Sequence, residues 1–260
     1  MGGIFAHINL LETHPQWAAF GVNPFSMAAV IAGVLSLINF LMLWKSFPET
    51  LPPVKSGHAT MKRTANVFQL FKPLPYKEVN RINFSNFLFL TAFSGMEFTL
   101  TFLAFERFAF TPMDNAKMFI FVGFVLVLVQ GGYVRRKAHQ VGEKKLTLAG
   151  LLILVPGLIL IGQSMAVWWL FASLVFLATG SGLVVPCLAT LASLFAPVAE
   201  QGRCLGRFRS MGALARTFGP LSASLCYWRF GASITYIIGA LSLFWPWMLI
   251  RSLAGKSSHA

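Results

Sequence analysis

The stretch Asn83–Phe105, NFSNFLFLTAFSGMEFTLTFLAF, decides the reading of this chain. A helix that crosses a bilayer needs roughly 20 mostly apolar residues, and this run supplies them. Its polar residues are not scattered. At about 100° per residue, Asn83, Asn86, Ser94, Glu97 and Thr101 fall within an arc of about 80°. The remaining faces are mostly Phe, Leu and Ala. The spacing therefore predicts a spanning helix that turns one polar face toward protein or a water-filled cavity. Glu97 lies near its middle. A charge at the centre of a span costs roughly 2.5–3.5 kcal/mol on insertion scales, so it marks a functional site by default. Two roles fit the residue type: a carboxyl that loads and unloads a proton, or a structural acid paired with a neighbouring helix.

Six further runs repeat the pattern: Asn23–Trp44, Ala116–Tyr133, Leu146–Gln163, Ala166–Phe195, Met211–Trp228 and Ser233–Ile250. Seven spanning helices follow, because helices satisfy their backbone groups internally and alternating barrel patterns are absent. Composition agrees. Hydrophobic residues make up 56% of the 260 and charged residues 11%, against about 25% charged in soluble domains. The predicted class is an all-α integral membrane protein.

The net charge is +13, but its distribution argues against a nucleic-acid partner. The basic residues sit in short clusters between the apolar runs. Four alternate segments, those after the first, third, fifth and seventh helices, hold 17 of the 21 Lys and Arg. The intervening segments hold only Arg107, Lys117 and Arg229, and Arg216 lies inside a span. By the positive-inside rule this places the N-terminus outside or in a lumen and the C-terminus in the cytoplasm. Plasma and internal membranes both fit. The first residues lack the basic and continuous apolar regions of a signal peptide.

Residues 45–82 form the longest connection, predicted as a basic cytoplasmic loop. Within it, residues 59–72 read either as an amphipathic helix lying on an anionic leaflet or as a solvated linker. Cys187, Cys204 and Cys226 show no CxxC or zinc spacing and read as small packing residues. No nucleophile–base set, carboxylate pair or phosphate loop appears. No enzyme activity, metal or cofactor is expected.

Arg216 is the second charge that lipid would reject. It shares a helix face with Arg209, Gly212, Gly219 and Ala223, and the small residues there let helices approach closely. Arg216 either pairs with Glu97 or faces a cavity that accepts anions. Pro156-Gly157, Gly180-Ser181-Gly182, Pro186 and Gly219-Pro220 are positions where a span is able to loosen or kink.

Several blocks resemble the major facilitator superfamily, whose members carry twelve helices in two six-helix halves. Gly131-Gly132-Tyr133-Val134-Arg135-Arg136, continuing through Gly142 to Lys145, is similar to the family's glycine-and-basic gating loop, without its acidic residue. Gly212 to Pro220 resembles the GxxxxGP signature of drug–proton antiporters, here in the repeat-equivalent helix eleven, with Gly212, Gly219 and Pro220 as its marks. Pro48-Glu49-Thr50 is similar to the motif that ends helix six. Residues 93–100, 185–188 and 209–216 resemble the tetracycline-transporter-like, organic-anion-transporting branch found in animals. Met1-Gly2-Gly3 resembles the tail of a helix-five signature.

The resemblance implies helices 6–12 of the family fold. Residues 1–22 are then a helix-five remnant and outer loop, 23–44 helix six, 45–82 the central loop, 83–250 the C-terminal six-helix half and 251–260 a cytoplasmic tail. The chain would lack the N-terminal half. The implied function is secondary transport of small organic anions or drug-like amphiphiles, coupled to protons through Glu97, with Arg216 on the anion. Phe87, Phe89, Phe93 and Phe98 would supply apolar walls. A non-transporting half that pairs with a full-length copy or an N-terminal half, and a seven-helix receptor, are the alternatives.

Overall fold

The structure, a computed structural model, describes residue 16, residues 26–46 and residues 73–253. The readings made for residues 1–22, for Pro48-Glu49-Thr50 and for the segment 59–72 lie outside the described residues. The chain divides into two compact units, Met1–Asn66 with Thr111–Ala116, and Val67–Phe110 with Lys117–Ala260.

Within the first unit, helix α1 runs Ser26–Ser46. Leu35, Leu37, Phe40, Leu43 and Trp44 are all exposed, so α1 is apolar on every side. That pattern belongs to a helix that lipid or protein surrounds. The same unit holds a reciprocal turn in which Asp114 Oδ2 accepts from Thr111 N and Thr111 Oγ1, and Thr111 Oγ1 accepts from Asp114 N.

The second unit is the helical bundle. Helix α2 spans Lys77–Phe108, beginning six residues before the run read from sequence, so residues 77–82 of the expected loop are helical. Helix α3, Pro112–Val127, which belongs to this unit from Lys117 on, continues through a π-helical segment, Leu128–Val134, into α4, Arg135–Val141. Then come α5, Glu143–Gly162, α6, Val167–Phe195, a 3-10 turn at Val198–Glu200, α7, Gln201–Ser242, and α8, Phe244–Arg251.

Six helices among the described residues are long and apolar enough to cross a membrane. The last of these, Val198–Arg251, is 54 residues long, far beyond what one span uses. It breaks at Gly231, where φ 79° and ψ 174° leave the helical region. Hydrogen bonds show that the chain reverses there. On the first arm, Phe208 O accepts from Asn86 at 3.2 Å and Tyr227 donates to Glu106 at 2.5 Å, so this arm runs parallel to α2. On the return, Ser233 lies by Arg107 and Ser252 by Arg81, so the second arm runs antiparallel. The two sequence-read spans on either side of Gly231 are thus distinct crossings, which makes seven among the described residues.

The prolines at 156, 186 and 220 lie inside continuous helices. The neighbouring glycines serve contact rather than bending. A Cβ on Gly150 would lie 2.8 Å from Gly180 O, and one on Gly180 would lie 2.7 Å from Gly150 O. α5 and α6 therefore touch backbone to backbone, the close approach that small residues allow in apolar surroundings. Ile82, Phe89, Leu100, Leu151, Leu154, Leu174, Leu188 and Tyr236 fill the core.

Candidate functional site

The polar face of α2 divides in two. Asn83, Asn86 and Ser94 are buried, whereas Glu97 is exposed and Thr101 half-buried. The buried part is a seam against the first arm of α7. Asn86 Nδ2 donates to Phe208 O, and Ser94 Oγ donates to Ala215 O at 3.3 Å. Both amide atoms of Asn83 lack a hydrogen-bond partner.

Glycine makes the seam possible. A Cβ on Gly219 would fall 2.1 Å from Ser94 Oγ and 2.5 Å from Thr91 O. One on Gly95 would fall 2.7 Å from Ala223 Cβ, and one on Gly212 would crowd Leu90 and Asn86. Gly212 and Gly219 thus present bare backbone to α2. Pro220 has no N–H, so the helical bond that would reach the Arg216 carbonyl is absent.

Glu97 and Arg216 flank this seam on its open side. Ser94 meets Ala215 and Gly95 meets Gly219. That register sets Arg216 level with Ser94 and Glu97 about one turn further along. Their expected pairing does not form. Both side chains are exposed, and neither makes an ion pair with a described residue. The same two helices carry exposed aromatic and apolar side chains: Phe98, Phe102 and Phe105 on α2, and Phe218 and Leu221 on α7. Of the aromatic walls read from sequence, Phe98 is exposed, but Phe89 is in the core at 1% exposure and Phe93 is half-buried.

The glycine-and-basic motif is not a loop. Gly131 lies in the π-helical segment, and Arg135 and Arg136 open α4, both exposed. The break comes at Gly142, with φ 89°. π-Segments inside helices often mark functional positions. Glu143, the residue after the break, is buried at the start of α5.

Sequence reasoning missed a second polar cluster, at the other end of α2. Arg107 donates to Ser164 O at 2.7 Å and to Gly162 O at 2.9 Å, closing the C-terminal carbonyls of α5, and Ser233 Oγ donates to Gly162 O as well. A cation is favourable at a helix C-terminus. Glu106, Arg107, Tyr227, Trp228, Gly231 and Ala232 surround a space of about 460 Å³ there. The available signal was the isolation of Arg107, one of few cations in the sparsely basic segments.

A family model described as Major Facilitator Superfamily matches residues 16–220. The chain belongs to the major facilitator superfamily. Its similar proteins include the major facilitator superfamily domain-containing protein 10 of Bos taurus, 30% identical over 244 residues, covering 86% of this chain and 53% of the relative. The human counterpart is 30% identical over 249 residues, with 89% of this chain and 54% of the relative covered. This chain spans about half the length of the curated relatives it matches.

Among solved structures, that of the human organic anion transporter MFSD10 (TETRAN) superposes with a TM-score of 0.77 at 31% identity, over 87% of this chain and 57% of that one. The POT family transporter PepTSo superposes at 0.56 with 19% identity, over 69% and 37%, and shares the fold. The helices are therefore those of a multi-pass membrane protein in a transporter family. The resemblance of the sequence blocks to this family's organic-anion branch holds, and the fold class read from hydropathy holds with it.

Proposed function

We propose that this chain serves a secondary transporter of small organic anions or drug-like amphiphiles, coupled to protons. One observation carries the reading: Glu97 and Arg216 stand exposed at mid-span, unpaired with any described residue, on helices that also expose Phe side chains. Lipid rejects such charges, so this face needs water or protein against it. An anion with an aromatic body meets there a permanent cation, Arg216, and apolar surface. Glu97 is the proton-carrying group. No catalytic chemistry is assigned to any residue. An N-terminal half, in the same protein or in a full-length partner, is the proposed covering of the charged face.

Orientation follows the basic residues. Arg81 donates to Ser252 O and Lys144 to Leu253 O, which gathers three basic segments at one end of the second unit. That end is proposed to be cytoplasmic.

The test is uptake of a labelled aryl carboxylate across an imposed pH gradient, by the chain alone and together with an N-terminal half. Glu97→Gln is expected to abolish the pH dependence, and Arg216→Ala to weaken anion transport while sparing neutral amphiphiles. An unchanged pH profile removes Glu97 from the mechanism. Transport by the chain alone at the full rate would remove the need for a second half.

A further inference from the structure

The second unit contains a cavity that the charged face does not line. It measures about 230 Å³ and lies between α2 and the two arms of α7, with Cys226 and Gly239 in its walls. Neither Glu97 nor Arg216 borders it. Six hydroxyls do, those of Thr91, Thr99, Ser222, Thr235, Tyr236 and Ser242. Each donates to a backbone carbonyl within 3.5 Å. An anion entering this space would find no free donor and would lose its hydration uncompensated. Apolar cavities of about 150 Å³ stay dry and take up small hydrocarbons, and this one is larger.

The mouth is set by the two lining residues Ser222 and Ile238, which are exposed and stand on opposite arms. Trp228, 82% exposed beside the reversal at Gly231, is of a type that sits at membrane interfaces. Ser222 precedes it by six residues, about 9 Å along the helix. A hydrocarbon layer is about 15 Å deep on each side of its midplane. The opening therefore lies at the depth of the lipid chains.

We propose that this cavity is a binding site for an acyl chain of a membrane lipid, entered between the two arms of α7. Gly239 keeps it open. A Cβ there would have a single neighbour, Leu158 Cδ1 at 4.0 Å, so a methyl at this position meets open space.

The experiment is photolabelling in nanodiscs of phosphatidylcholine bearing a diazirine on its acyl chain, with adducts mapped by mass spectrometry. Adducts are expected on Cys226, and also on Leu225 and Leu241, which are exposed on the outer surface. Gly239→Leu should lower the Cys226 adduct about tenfold while the two surface leucines label as before. Cys226→Phe, read at Ile238, serves if the first variant does not elute as a monodisperse species.

Three results would overturn the proposal. One is labelling of Leu225 and Leu241 with Cys226 no higher than the buried Cys187. Another is unchanged cavity labelling in a folded filled variant. The third is loss of the Cys226 adduct on adding millimolar 4-phenylbutyrate while the surface adducts persist, which assigns the cavity to a water-borne anion instead.

Discussion

At the residue scale, the distance between α2 and the first arm of α7 is set by missing methyl groups. Gly219→Ala would drive a Cβ to 2.5 Å from the Thr91 carbonyl, which cannot rotate away. The expected cost is about 1–3 kcal/mol of overpacking, a fall of roughly 5 °C in the midpoint of thermal unfolding in detergent. Gly131→Ala, with no atom within 4 Å of the new methyl, should stay within about 0.5 kcal/mol of the parent. Equal midpoints for the two variants would contradict the seam.

Arg107 gives a second test. Arg107→Lys keeps the charge but cannot fork between the carbonyls of Gly162 and Ser164, and a loss of about 2 kcal/mol is expected. Full retention of stability would show that charge alone closes α5. The polar stripe was legible in the sequence because helical periodicity places its members on one face. Its division was not, since Ser94 and Glu97 share that face but only Ser94 lies under Ala215. Periodicity reports direction and not what stands opposite.

At the scale of elements, Gly231 converts one apolar run into two crossings. Its φ of 79° with ψ of 174° is a conformation that only glycine adopts readily. Gly231→Ala is expected to destabilise by about 1–3 kcal/mol although the space around it is open. A circular dichroism melt that matches the parent's would mean that the reversal does not depend on that dihedral. The break was legible as a gap between two hydrophobic runs, and hydropathy also placed the other spans. The π-helical continuation through Gly131 was not legible. Glycine and clustered charges signal a loop by composition, yet the backbone there keeps hydrogen bonding until Gly142. Likewise the prolines suggested kinks, whereas the helices run through them and the glycines beside them answer to contact.

At the scale of the molecule, the fold followed from composition and periodicity, and the family match agrees with both. The site is a different matter. Glu97 and Arg216 were conspicuous as charges within apolar runs, and the simplest guess was that they neutralise one another. They do not, because the seam between their helices is too tight to admit long side chains and directs both outward. The central claim is that this outward face meets an aqueous path. The direct measurement is alkylation by a membrane-impermeant thiol reagent of Glu97→Cys and Arg216→Cys, compared with Leu241→Cys, in membranes holding the protein together with an N-terminal half of the family fold. Positions 97 and 216 are expected to react readily, while position 241 stays inert. Rates at 97 and 216 as low as that at 241 would place both charges away from water and contradict the claim.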